Sequence, residues 1–330
     1  MNGSVSVGTG LPLATQVSDW PEASPSQAIV NSPHDVSLHN RLRIEQFKMR
    51  VSDALAFRHS DNGTNFGTLG RLTVYGLLNS ELVELERSIQ DEYGNTISTI
   101  TQRQVINMGT VMTSWHILAA KLHLHAFYLL DEADTVDYNT RIATLYATAS
   151  SLINLTVALD SPPTNLLSYC PFSCYQAFVC AAFCILKIAT NTFFQTIADT
   201  DKNSTRHLET AVTVLRKISI ANNDLPARLG DVLAFLCSLP DLSVIGGQSA
   251  DDLRLRQTRN RLSMSVVYDC LWIWRRHFRA EEASIGGSNG GLNGTEDKSQ
   301  PFLASLLYPV RRSQLFWMLF FDFCCSLYQI

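Results

Sequence analysis

Charge is scarce in this chain. Asp, Glu, Lys and Arg make up 17% of its 330 residues, where soluble domains average about 25%, so much of any helical surface must be buried. Neither sign dominates: a formal net charge of -4 excludes a whole-chain electrostatic grip on nucleic acid, which needs a basic face. The N-terminus has neither the basic n-region nor the apolar h-region of a secretory signal. The eight cysteines are therefore expected to be reduced thiols, and none of them precedes Cys170. Sequons occur at Asn2, Asn62, Asn154, Asn203 and Asn293, but Asn154 sits between apolar residues of a strong helical pattern, which argues against a secreted glycoprotein. No segment alternates like a strand. No motif pairs a nucleophile with a base: G-x-S-x-G, H-E-x-x-H, a P-loop and a strand-linked G-x-G-x-x-G are all missing. The chain is not expected to be an enzyme, and no catalytic, cofactor, metal or DNA-contacting residue is assigned.

What is present is a succession of amphipathic helices, so the expected class is all-α, a stacked array of helical hairpins with about eight or more helices. Residues 1–31 are rich in Ser, Gly, Pro and Thr and are expected to be disordered, because such a composition buries too little apolar area to offset ordering entropy. A helical domain is expected over 32–279. It opens at Ser32-Pro33-His34-Asp35, an N-cap followed by proline at the first helical position, and Ile44, Phe47, Val51 and Leu55 then share a face. A second stripe runs through Leu69, Leu72, Leu78, Leu82, Leu85 and Ile89. Thr101-Gln102-Arg103-Gln104 has the form of a capping box for a third helix bearing Met108, Met112, Trp115, Leu118, Ala119 and Leu122. Tyr138 to Leu159 repeats the pattern until Asp160-Ser161-Pro162-Pro163 stops it. Leu166 to Phe194 is apolar nearly all round and reads as one helix buried on several sides. Thr205 to Ile220 is amphipathic, and Asp251 to Arg279 reads as a basic helix with seven arginines. A flexible Gly/Ser/Asn-rich linker is expected over 280–301, including Gly286 to Gly291, and an apolar, aromatic segment over 302–330.

Cys170, Cys174, Cys180 and Cys184 are numerous enough to close a tetrahedral zinc shell. Their C-x3-C-x5-C-x3-C spacing, however, is unlike the C-x2-C pairs of zinc ribbons, and cysteine on an apolar helix packs as a small hydrophobe. A redox role would require a depressed pKa, for which Lys187 is the nearby cation. His123 and His125 diverge by roughly 200° on a helix and cannot chelate one ion together; with His116 they read as satisfied core or surface histidines. The acids Asp131, Glu132 and Asp134 fit a helix-ending turn. Arg254, Arg256, Arg259, Arg261, Arg275, Arg276 and Arg279 read as a solvated, salt-bridged face, because Asp251, Asp252 and Asp269 offset them. Ala177 to Ala189 is short for a membrane span. Leu315 to Ile330 is interrupted by Asp322 but flanked by Arg311 and Arg312, which leaves a C-terminal anchor as the alternative reading.

Five stretches carry a family resemblance: RLTVYGLLNSELVELERSI, LHLHAFYLLDEAD with the following TRIATLYATASSLINL, YCPFSCYQAFVCAAFCILKIA, and HLETAVTVLRKISIANNDLPARLGDVL. Together they resemble the regulatory, or middle-homology, domain of fungal binuclear zinc-cluster transcription factors, especially the branch with the leucine-biosynthesis and secreted-protease regulators, from about Val36 to Arg279. Members of that family place a six-cysteine cluster near the N-terminus, and this sequence holds no such cluster. The resemblance therefore implies an effector-responsive regulator of transcription in the nucleus, acting through co-regulator proteins or the transcription machinery. It also implies a small-molecule effector and a homodimer. Zinc and DNA would enter only through an upstream cluster module, so no cofactor is expected in this chain. Trp317, Phe320, Phe321, Asp322 and Phe323 resemble an acid-and-aromatic activation segment only weakly.

Overall fold

The computed structural model describes residues 33–56, 68–97, 103–162, 165–170, 172–195, 201–220, 224–255 and 264–286. The expected disordered segment 1–31 and aromatic segment 302–330 lie outside them. Among the described residues there is no strand, and the protein is all-α, with eleven α-helices and two 3-10 turns. In chain order the helices are α1 (Pro33–Ala56), α2 (Thr68–Ile97), α3 (Arg103–His125), α4 (Tyr138–Leu159), α5 (Leu166–Tyr169), α6 (Phe172–Ala189), α7 (Thr192–Gln195), α8 (Asp201–Lys217), α9 (Leu225–Cys237), α10 (Ser243–Gly246) and α11 (Ser265–Gly286).

Two compact units emerge, Met1–Leu208 with Asp241–Cys270, and Glu209–Pro240 with Leu271–Ile330. In the first, α3 is the hub: it packs on α1, α2, α4 and α6, while α4 also packs on α6. The apolar stripes explain this. Ile44, Phe47 and Val51 of α1, Leu82 and Ile89 of α2, Trp115 and Leu122 of α3, and Ile142, Leu145, Ala149 and Leu152 of α4 are all buried, as 3.6-residue periodicity requires. The Trp115 indole N–H donates to Thr156 Oγ1 at 2.8 Å, and Thr156 in turn donates to the Leu152 carbonyl at 2.6 Å. Thr156→Val keeps the shape and removes the acceptor, leaving a buried N–H unpaired. We expect a loss of about 1–3 kcal/mol in urea unfolding, well beyond that of Thr156→Ser; equal losses would show that the bond contributes nothing.

The single buried helix expected over 166–194 is in fact three. Pro171 forbids a continuous helix, and Cys170 before it is extended at φ -76, ψ 154, as a residue preceding proline prefers. The second break is made by buried Asn191, whose side-chain oxygen accepts from the N–H groups of Phe193 and Phe194 at 3.0 and 3.2 Å. Its amide donates to the carbonyls of Gly246 and Ser249 at 2.6 and 2.8 Å, which ties the 243–253 segment to the end of α6. That approach needs glycine at 246, where an added Cβ would lie 2.3 Å from the Asn191 nitrogen.

The expected basic helix over Asp251–Arg279 is likewise corrected. Residues Ala250–Leu253 form a 3-10 turn closed by a Ser249–Asp252 capping box, and α11 starts only at Ser265. Arg256, Arg259 and Arg261 lie outside the described residues. The helix then continues to Gly286, so that 280–286, expected in the linker, are helical.

In the second unit, Asp224 caps α9 by accepting from Ala227 N–H at 3.0 Å, with proline in the first turn. Arg216 pairs with Asp231 at 2.9 Å. Arg276 stacks over Trp272 at 5.7 Å.

Candidate functional site

The acidic turn between α3 and α4 holds a buried polar constellation. Asp131 is 2% exposed and faces two guanidiniums, Arg141 at 2.6 Å and Arg71 at 3.5 Å. Tyr75 donates to the Phe127 carbonyl at 3.3 Å and reaches Asp131 at 3.5 Å. The Arg141 guanidinium also lies over three rings, Tyr128 at 5.4 Å, Tyr75 at 5.8 Å and Tyr138 at 5.9 Å from their centroids, distances at which a cation gains from the ring quadrupole. Burial pushes the Asp131 carboxyl above its ordinary range, against the pull of Arg71 and Arg141. Burial also raises the Tyr128 phenol to about 12 and drives Tyr75 and Tyr138 well up.

The chain after this turn is anchored from the 250 region. Arg254 pairs with Glu132 at 3.1 Å, Asp251 accepts from Ala133 N–H at 3.3 Å, and Leu255 N–H donates to the Leu129 carbonyl at 2.9 Å. Of the three acids read as a helix-ending turn, Asp131 is buried and paired, Glu132 is exposed and paired, and Asp134 is exposed.

The histidines are scattered along α3, and all three are buried. His123 Nε2 meets Ser52 Oγ at 2.9 Å, His125 Nδ1 meets Thr148 Oγ1 at 3.0 Å, and His125 stacks on Tyr128. Burial lowers each, His116 and His125 to about 4 and His123 to about 3. They are neutral core groups near pH 7.

The four cysteines of interest fall into two hydrogen-bonded pairs, Cys170 with Cys174 and Cys180 with Cys184. Cys174, Cys180 and Cys184 are buried and Cys170 is half-buried. The Cys174 hydrogen bond lowers Cys170, whereas Cys184 is raised by its bond to Cys180 and by burial. Lys187 donates to Asp269 at 2.5 Å and to the Ile245 carbonyl at 3.4 Å. Cys270, its neighbour, is nevertheless pushed by burial up to about 12. Among the described residues no group of three or more His, Cys, Asp or Glu is placed to hold a metal ion.

Sequence reasoning placed Asp131 in a turn but missed Arg71, Tyr75, Tyr138 and Arg141, which meet it across the fold. The one local signal was an arginine at the first turn of a helix, where cations are unfavourable without an anion beside them. Comparisons with family models, with curated proteins and with solved structures find no match for this chain.

Proposed function

We propose that the chain is the effector-responsive helical regulatory domain of a transcription regulator, similar to that of fungal zinc-cluster factors, working in the nucleus through co-regulator proteins or the transcription machinery. It acts without catalysis, and DNA and zinc belong to a separate cluster module. The all-α class of the described residues is what the resemblance implies at the level of fold class. The observation that carries the reading is Leu122 to Asp160: the residues bearing the strongest resemblance are also the hub of the first unit, where α3, the acidic turn and α4 join around a buried polar cluster. Such a junction suits a domain with two packings, whose balance an effector biases by binding one of them better. The test is to fuse the chain to a heterologous DNA-binding domain. Reporter output should differ at least severalfold from that of the DNA-binding domain alone, and unchanged output from a well-expressed nuclear fusion would sink the reading.

One observation favours the membrane-associated alternative. Among the described helices, α4 alone is long and apolar enough to cross a bilayer. Its Ile142, Leu145, Ala149, Leu152, Ile153 and Thr156 are nevertheless buried in the protein, and α3 and α6 pack against it. Core packing accounts for its apolarity without a bilayer. The expected anchor, Leu315 to Ile330, lies outside the described residues. Retention in the pellet after a carbonate wash would favour this alternative over the regulatory one.

A further inference from the structure

Of the four cysteines at the α5–α6 junction and along α6, one differs from the rest. Cys170 is half-buried, whereas Cys174, Cys180 and Cys184 are buried. It follows α5 in extended backbone, at φ -76 and ψ 154, and its Sγ reaches the Leu167 carbonyl at 3.7 Å. Ser168 and Tyr169, just before it, are exposed, so solvent reaches this stretch of chain.

Cys174 lies in the first turn of α6, and its thiol hydrogen-bonds to the Cys170 sulfur. That contact places the Cys170 sulfur at the positive end of an 18-residue helix, where a thiolate is favoured. Donation from Cys174 is the largest influence on Cys170 and holds its thiol below the ordinary range, while burial and the Asp160 carboxylate oppose it. The same bond, together with burial, drives Cys174 well up. Lys187, the nearby cation in the sequence, is bonded to Asp269 instead, so activation comes from the helix end and from Cys174. An acidic, accessible thiol beside a less acidic, buried one is the arrangement in which the first is oxidised and the second resolves it.

Cys180 and Cys184 repeat the C-x3-C spacing without these properties. Both are buried and both lie inside α6, where hydrogen bonds between successive turns fix the backbone. Cys170 lies outside any helix, so its Cα is free to make the small shift that disulfide geometry demands.

We propose that Cys170 and Cys174 form a peroxide-oxidisable dithiol, with Cys170 as the attacking sulfur and Cys174 as the resolving one. The Cys170 thiolate attacks one oxygen of hydrogen peroxide: an S–O bond forms, the O–O bond breaks, and the departing hydroxide leaves as water with the proton that the thiol gave up. The Cys174 sulfur then attacks the Cys170 sulfenic acid. The S–S bond forms, the S–O bond breaks, and the Cys174 proton leaves with the hydroxide as a second water. Two electrons pass from the pair of thiols to the peroxide. The bridge ties the end of α5 covalently to the first turn of α6. This site goes beyond the regulatory reading and does not depend on it.

The test is peroxide oxidation of the folded, fully reduced chain, followed by alkylation of the remaining thiols and site-resolved mass spectrometry. Cys237 is the internal standard, because it too is half-buried but burial pushes its thiol up to about 11. Near pH 7, Cys170 should be consumed at least about tenfold faster than Cys237. The product should be a Cys170–Cys174 disulfide, lighter by two hydrogens and reversed by dithiothreitol, with Cys180 and Cys184 still reduced. In Cys174→Ser the reaction should stop at a Cys170 sulfenic acid that dimedone traps, and in Cys170→Ser the Cys174 thiol should survive the same dose. Equal consumption of Cys170 and Cys237, a bridge between other sulfurs, a Cys170 sulfinic acid with Cys174 still reduced, or oxidation of Cys174 in Cys170→Ser would overturn the proposal. The comparison of Cys170 with Cys237 is made within the unaltered chain, so it decides the matter even where a variant fails to fold.

Discussion

Between pH 6.5 and pH 4 the chain will lose stability steeply, because α3 carries three buried histidines that fold as neutral groups. Burial is the largest cause for each. The cations Arg41 and Lys48 add to it at His116, Lys48 at His123 and Lys121 at His125, while Glu45 works the other way at His116. In the unfolded chain each titrates near 6.5; in the folded chain His116 and His125 wait until about 4 and His123 until about 3. The unfolded state therefore binds more protons throughout this window, and stability falls as pH falls. The contribution is fully present above pH 6.5 and is lost as pH drops toward the folded values. At 1.36 kcal/mol per pH unit, each histidine removes about 2 kcal/mol by pH 5, or about 6 kcal/mol together, which rivals the whole stability of a typical domain, about 5–15 kcal/mol. Asp131 acts in the opposite sense: its raised folded pKa favours the protonated carboxyl, so its contribution is present below 3.8 and lost as pH rises. Urea unfolding at several pH values should give a slope approaching 4 kcal/mol per pH unit near pH 5. His123→Gln, which can still meet Ser52, should lower that slope by about one third. A flat profile from pH 7 to pH 4.5 would mean that these histidines ionise without unfolding the core.

That behaviour follows from burial that the sequence only half discloses. The stripes Ile44, Phe47, Val51 and Ile142, Leu145, Ala149, Leu152 are readable because a helix returns to the same face every three to four residues, and each of these side chains is buried. His123 and His125 point to different faces of α3, yet both are buried, because α3 is covered from several sides, by α1, α2, α4 and α6. No local pattern reports how many partners a helix has. Asn191 is a similar case. A sequence scan sees a polar residue at the end of an apolar run, whereas its role is set by the carbonyls of Gly246 and Ser249, more than fifty residues away. Proline 171 was legible in principle, and the apolar run around it outweighed the signal. The candidate site was the least legible part. Asp131 and Arg141 are ten residues apart, but Arg71 and Tyr75 arrive from α2, and Tyr138 sits in a stripe that reads as plain core.

The buried pair Lys187–Asp269 gives the sharpest single-residue expectation. Its side chains are 3% and 7% exposed, and it joins the last turns of α6 to the first turns of α11. Lysine on so apolar a helix looks like an error of patterning until its partner is known. Removing a buried ion from water is costly, and the attraction of the pair offsets that cost only while both members remain. Lys187→Met leaves Asp269 buried without its cation, and should cost about 3–5 kcal/mol in urea unfolding. Asp269→Leu leaves the ammonium with only the Ile245 carbonyl, at 3.4 Å, and should cost a similar amount. The double variant removes both charges at once, so it should recover most of the loss and be near neutral or even stabilising. That sign pattern separates an ion pair from ordinary packing, for which two large changes at neighbouring positions would not cancel. If the double variant is as unstable as the sum of the singles, the pair holds α6 to α11 through shape alone. If either single variant loses less than about 1 kcal/mol, the partner ion has found water, and the α6–α11 junction opens more readily than its burial implies.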